Sequence, residues 1–74
     1  MDIRVKGYTI LADAVPPDGI VSLSPGSNVM DLLLFLGIKP EDVILIFVNN
    51  VQVGMESILH AGDNVVLFPL TGGG

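Results

Sequence analysis

The residues best placed to do chemistry in this 74-residue chain are its last three, Gly72-Gly73-Gly74. They follow an apolar run, Val65-Val66-Leu67-Phe68, and a short link, Pro69-Leu70-Thr71. Glycine buries no side chain and loses more backbone entropy on ordering than any other residue. A glycine tail gains little by packing, so residues 70–74 are expected to project as a flexible segment from a domain of residues 1–69. Such a segment can thread a narrow tunnel and deliver its carboxylate to another protein's active site. A carboxylate is a poor acyl donor until it is given a good leaving group, so this chemistry requires an ATP-using partner. The same glycines also fit an expression scar, a frayed end or a linker, and the tail alone does not separate these readings.

The other side chains offer less. His60 is the single histidine. It stands beside Gly62-Asp63 in a predicted loop, with neither a nucleophile nor a second metal ligand at hand, and reads as a solvated surface residue. Glu41 and Asp42 are adjacent and point apart, as in a helix-exit turn. Asp13 and Asp18 flank prolines and read as turn residues. The glycine tail is not a phosphate cradle, because no helix follows it. There is no cofactor fingerprint. The absence of cysteine excludes disulfides, thiolate metal sites and cysteine nucleophiles. The expectation is no metal site, no bound cofactor and no enzyme acting alone.

The elements that must carry the tail can be read from periodicity. Asp2 to Leu11 alternates, with Ile3 and Val5 on one side and Arg4, Lys6 and Tyr8 on the other, which predicts a half-buried strand. Ala12 to Gly19, with Pro16, Pro17 and Asp18, reads as a loop. Ile20 to Ser24 is a second short strand, ended by Pro25-Gly26. A helix follows, with Asn28 as N-cap and Asp31 reaching back to its amide. Gly37 supplies the left-handed C-terminal residue, and Pro40 prevents continuation. Val29, Leu32, Leu33 and Leu36 share one helical face. Met30, Leu34 and Phe35 fall off it, giving more apolar surface than one sheet face can bury. Val43 to Val48 is six apolar residues in a row and predicts a central strand with both faces apolar. Asn49-Asn50 can make a tight hairpin turn into Val51 to Val53. Ile58 to Asp63 is a connection ending in a Gly-Asp turn, and Asn64 to Phe68 is the last strand.

The fold class is therefore α+β: a β-grasp (ubiquitin-like) roll, a mixed sheet of four to five strands with one main helix on one face. The other face is left with alternate residues of Val43 to Val48 and Val65 to Phe68, and a bare apolar sheet face marks a docking site for a larger protein. Half of the residues are hydrophobic and 15% are charged, so either the core is unusually aliphatic or apolar surface is kept for a partner. The net charge is -5, with only Arg4, Lys6 and Lys39 positive. That balance argues against nucleic acid, which needs clustered cations. An acidic body suits a partner with a basic docking face, and serves solubility equally well. No apolar run reaches the roughly 18 residues of a membrane span. The N-terminal residues lack a signal peptide's apolar stretch, so a cytoplasmic location is expected.

Three stretches together resemble a known family. They are Phe47-Val48-Asn49-Asn50-Val51-Gln52-Val53, then Leu59-His60-Ala61-Gly62-Asp63-Asn64-Val65-Val66-Leu67-Phe68-Pro69, then the final Gly73-Gly74. In order, spacing and C-terminal position they are similar to the MoaD/ThiS sulfur-carrier proteins, whose small molybdopterin synthase subunit is the nearest type because of Phe68-Pro69. The helix opening, Asn28-Val29-Met30-Asp31-Leu32-Leu33, fits the same pattern. Asn50 stands for the family's turn glycine. Leu70 stands for the second proline of its tail, a loss expected to loosen the stalk. Gly72 stands for a small residue such as alanine.

The resemblance implies a carrier. A ubiquitin-activating-type enzyme would use ATP to adenylate the carboxylate of Gly74, and a sulfur donor would convert it to a thiocarboxylate. Gly72 and Gly73 would pass the partner's tunnel, with Phe68 and Pro69 holding the base. The sulfur would go to molybdopterin biosynthesis through the synthase large subunit or another sulfur-accepting enzyme. A thiamin-thiazole or tRNA-thiolation carrier, and a ubiquitin-like modifier conjugated through Gly74, stay open as alternatives.

Overall fold

The computed structural model describes residues 1–70. Five strands and one α-helix follow in the order β1 (Asp2–Gly7), β2 (Ile20–Ser22), α1 (Val29–Leu36), β3 (Val43–Val48), β4 (Val51–Gln52) and β5 (Asn64–Pro69). Short 3₁₀ turns occupy Thr9–Ala14 and Pro40–Asp42. The strands form one mixed sheet in the order β2-β1-β5-β3-β4. β1 and β5 run parallel, and the other neighbours are antiparallel. This is the expected α+β roll, with its one main helix on one face.

The helix forms where its sequence signals lie. Asn28 Oδ1 accepts the Asp31 N–H and Asp31 Oδ2 accepts the Asn28 N–H, both at 2.9 Å, closing a reciprocal cap at the start. Gly37 ends it at φ 74° and donates its N–H to the last turn. Val29, Leu32 and Leu33 are fully buried against the sheet, and Leu36 is packed at the margin. They meet Ile3, Val5, Val21, Ile46, Val65 and Leu67, with Leu59 from the last connection. Each such aliphatic side chain contributes about 1.5–3 kcal/mol by leaving water.

The expected strand boundaries and the place of β3 need correction. β1 does not continue to Leu11. The chain turns at Thr9, where φ is 50°, and Thr9–Ala14 winds into a 3₁₀ turn that buries Leu11. Gly7 permits this: a Cβ there would lie 2.9 Å from the backbone carbonyl of Leu11. The predicted loop accordingly starts after Ala14. β2 stops at Ser22, and β4 at Gln52, short of Val53. β3 is not the central strand. β5 occupies the middle of the sheet, and β3 has only the two-residue β4 outside it. A β-bulge between Val43 and Leu45 breaks β3's alternation, leaving Ile44 and Leu45 both exposed.

Candidate functional site

β5 is the last described strand before the C-terminal glycines. Its alternate residues divide between the two faces of the sheet. Val65 and Leu67 are buried under α1, whereas Val66 and Phe68 point to the helix-free side. Pairing brings Lys6 and Phe47 beside Val66, and Leu45 beside Phe68. Directly paired residues share a face, so all three join the open side.

Tyr8 completes the patch. It lies just past β1, where its N–H still donates to the Leu67 carbonyl at 3.3 Å. Its ring stacks on Phe68 at 4.8 Å between centroids and 16° between planes. Phe47 meets Phe68 from the other side, edge-on, at 5.6 Å and 79°. Phe68 is therefore the middle ring of three, and such pairs hold each other by about 0.5–1.5 kcal/mol beyond their burial. The Lys6 ammonium stands 4.9 Å from the centre of the Tyr8 ring. Asn50 closes one rim.

Two supports hold this patch. The first is the hairpin turn, in which Asn49 and Asn50 take φ of 52° and 68°, as a tight primed turn requires. The Asn49 side chain donates to Asp63 Oδ1 and accepts from the Asn64 N–H, both at 3.0 Å. Asp63 Oδ2 accepts the His60 N–H at 2.8 Å. The Gly-Asp turn and the hairpin are thereby tied to the start of β5. The second support lies at the other end of β5. Pro69 is buried and pairs with Val43. Leu70 donates its N–H to the Asp42 carbonyl at 2.8 Å. A second proline at residue 70 could not make that bond. The exchange expected to loosen the stalk thus supplies an anchor.

The site residues named from sequence separate cleanly. Phe68 and Pro69 lie at the end of β5, Phe68 on the open face and Pro69 buried beside Val43. Gly72, Gly73 and Gly74 lie outside the described residues. His60 has a side chain 78% exposed, with Nδ1 3.9 Å from Asp63 Oδ2; its backbone, not its imidazole, does the structural work. Sequence reasoning did not single out Tyr8, Phe47 or Leu45 for this site. The available signal was alternation, which put Tyr8 on the side of Arg4 and Lys6. Among the described residues no helix is long and apolar enough to cross a membrane.

The chain and its fold match known proteins. A family model described as the ThiS family matches residues 8–74. The structure superposes on the crystal structure of SAMP1 from Haloferax volcanii with a TM-score of 0.73 at 24% sequence identity, covering 100% of both chains. It is similar also to the putative molybdopterin converting factor, subunit 1, from Pyrococcus furiosus, with a TM-score of 0.73 at 23% identity, over 93% of this chain and 97% of that one. No match is found among curated proteins. The structural likeness shows a shared β-grasp, ubiquitin-like fold.

Proposed function

We propose, given that this chain belongs to the ThiS family of ubiquitin-like sulfur carriers, that its C-terminal carboxylate on Gly74 is the group that carries sulfur. The carboxylate attacks the α-phosphorus of ATP in a ubiquitin-activating-type enzyme, and pyrophosphate leaves. Hydrosulfide released by a sulfur donor then attacks the acyl carbon, AMP departs, and a thiocarboxylate remains on Gly74. The chain supplies no catalytic side chain of its own. It supplies a narrow acyl group, with Gly72 and Gly73 giving access and Phe68 and Pro69 fixing the base.

The family match running through residue 74 carries this reading. The client we propose is molybdopterin biosynthesis, in which the carrier hands its sulfur to the synthase large subunit. Phe68-Pro69 at the end of β5 and the likeness to a putative molybdopterin converting factor subunit support that choice. The partner docks on the open sheet face, where Tyr8, Phe47, Leu45 and Phe68 form an apolar patch beside the strand that leads to the tail.

The test is mass spectrometry after incubation with the cognate activating enzyme, ATP and a sulfur source. Exchange of one oxygen for one sulfur should add about 16 Da at the C-terminus, a covalent change made by the partner. Deleting Gly74 should remove the shift and leave the melting temperature unchanged. A truncated protein that is still activated, or a product that is only ever an isopeptide conjugate, would overturn the carrier reading. Adding molybdopterin synthase large subunit or a thiazole synthase to the loaded protein then identifies the client by which one consumes the thiocarboxylate.

A further inference from the structure

The open face gathers most of the few cations of an acidic protein. Of three cations against eight carboxylates in the whole chain, two, Arg4 and Lys6, alternate with buried Ile3 and Val5 and so stand on the helix-free side. Lys39 lies off the strands, in the connection before the Pro40 turn. Both Arg4 and Lys6 are exposed. Two carboxylates border them, Asp2 on the same face of β1 and Asp18 just before β2, and neither stands within ion-pair distance of either cation. Asp2 is engaged by the Ser22 hydroxyl, and Asp18 Oδ1 accepts the Ile20 N–H at 3.0 Å. The one ion-pair contact among the described residues is His60 with Asp63. Lys6 is steered toward the aromatic patch by Tyr8, and its ammonium has no carboxylate partner among the described residues.

Resting on the carrier reading, we propose that the docking face of the adenylating enzyme is acidic where it meets β1. It presents carboxylates to Arg4 and Lys6, alongside an apolar floor for Tyr8, Phe68 and Phe47. Net charge governs attraction at long range, but salt screens it beyond about 8 Å at physiological ionic strength. Within that distance the local pair decides, and like charges brought together across an interface are strongly disfavoured. A basic docking face, which the overall acidity suggests, would set cation against cation here. A nucleic-acid strand fits no better, since two cations on an otherwise acidic protein cannot neutralise a phosphate backbone.

The experiment uses the cognate adenylating enzyme as the probe. Its ATP–pyrophosphate exchange is titrated with wild type, R4E/K6E and R4Q/K6Q at low and high salt, each variant being checked for an unchanged melting temperature. Apparent affinity should fall about tenfold for R4E/K6E at ~50 mM salt, with R4Q/K6Q between the two. At ~500 mM the gap should narrow to about twofold, because the lost contacts are exposed and screened. If R4E/K6E binds as tightly as wild type, or more tightly, the acidic partner face is wrong while the carrier reading stands. Should the double Glu variant fail to fold, R4Q/K6Q decides the matter alone: weaker binding at low salt supports the acidic face, and undiminished binding overturns it. If wild type supports no exchange at all, the carrier reading falls and this proposal falls with it.

Discussion

The two faces of the sheet are built from alternate residues of the same strands, yet they differ in chemistry. Under α1 lie Ile3, Val5, Ile46, Val65 and Leu67, all aliphatic and all buried. On the other side lie Tyr8, Phe47 and Phe68, half exposed, with Leu45 and Val66 between them. The chain holds four aromatic residues, and none belongs to the buried core. The fourth, Phe35, is on the outer side of α1. Branched aliphatics fill a small closed volume well, and they suffice to hold a domain this size. Rings left half in water hold large contact area in few rotamers, which suits a surface that has to bind. On the proposed docking mode, labour is divided between the faces, one serving stability and the other association.

Three substitutions bear on that division, in falling order of effect. Leu33→Ala, on the helix side, should cost about 2–5 kcal/mol of stability as a core cavity. Urea unfolding would show it as a lower midpoint at an unchanged slope. Activation of the folded fraction should be normal, and lost activation without lost stability would contradict a purely structural role for the helix side. Leu45→Asp, on the open side opposite Phe68, should do the reverse. Partner affinity should drop about 30-fold, near 2 kcal/mol, as for a hot-spot residue, with thermal unfolding nearly unchanged. Unaltered affinity for the activating enzyme would remove the open face from the binding model. His60→Ala, on neither face, should stay within about 0.5 kcal/mol of wild type in stability, and the mass shift at Gly74 should persist. An inactive His60→Ala protein would mean that a side chain outside both faces takes part in the chemistry.

What the sequence disclosed was local. Asn28, Asp31 and Gly37 carry their helix signals within one turn each, and Asn49-Asn50 carries its own turn, so these elements were legible. The alternation of Arg4, Lys6 and Tyr8 against Ile3 and Val5 likewise gave the correct sides. What it hid was long-range. Ile10 and Leu11 look like continued strand, and only the close approach of Leu11 to Gly7 across the turn ends β1 early. The run Val43 to Val48 looks central because it is apolar throughout. Part of that apolarity serves the bulge and the open face, which periodicity cannot distinguish from burial. The link from Asn49 to Asp63 spans fourteen positions and joins two residues that each look like an isolated turn former. For the candidate site, Phe68 and Pro69 came from resemblance, whereas the role of Tyr8 depends on a ring stack that no spacing encodes.

The position of β5 has a mechanical consequence. It is the middle strand, hydrogen-bonded to parallel β1 on one side and antiparallel β3 on the other, and its last residues lead to the C-terminus. A pull applied from that end loads both ladders along their length, so many bonds share the force at once. An edge strand pulled the same way would yield one bond at a time, like a zipper. Resistance to forced unfolding is set by the unfolding rate under load, and this geometry keeps that rate low for traction at the C-terminal end. A domain so built yields slowly to traction from its C-terminal end, whatever applies it.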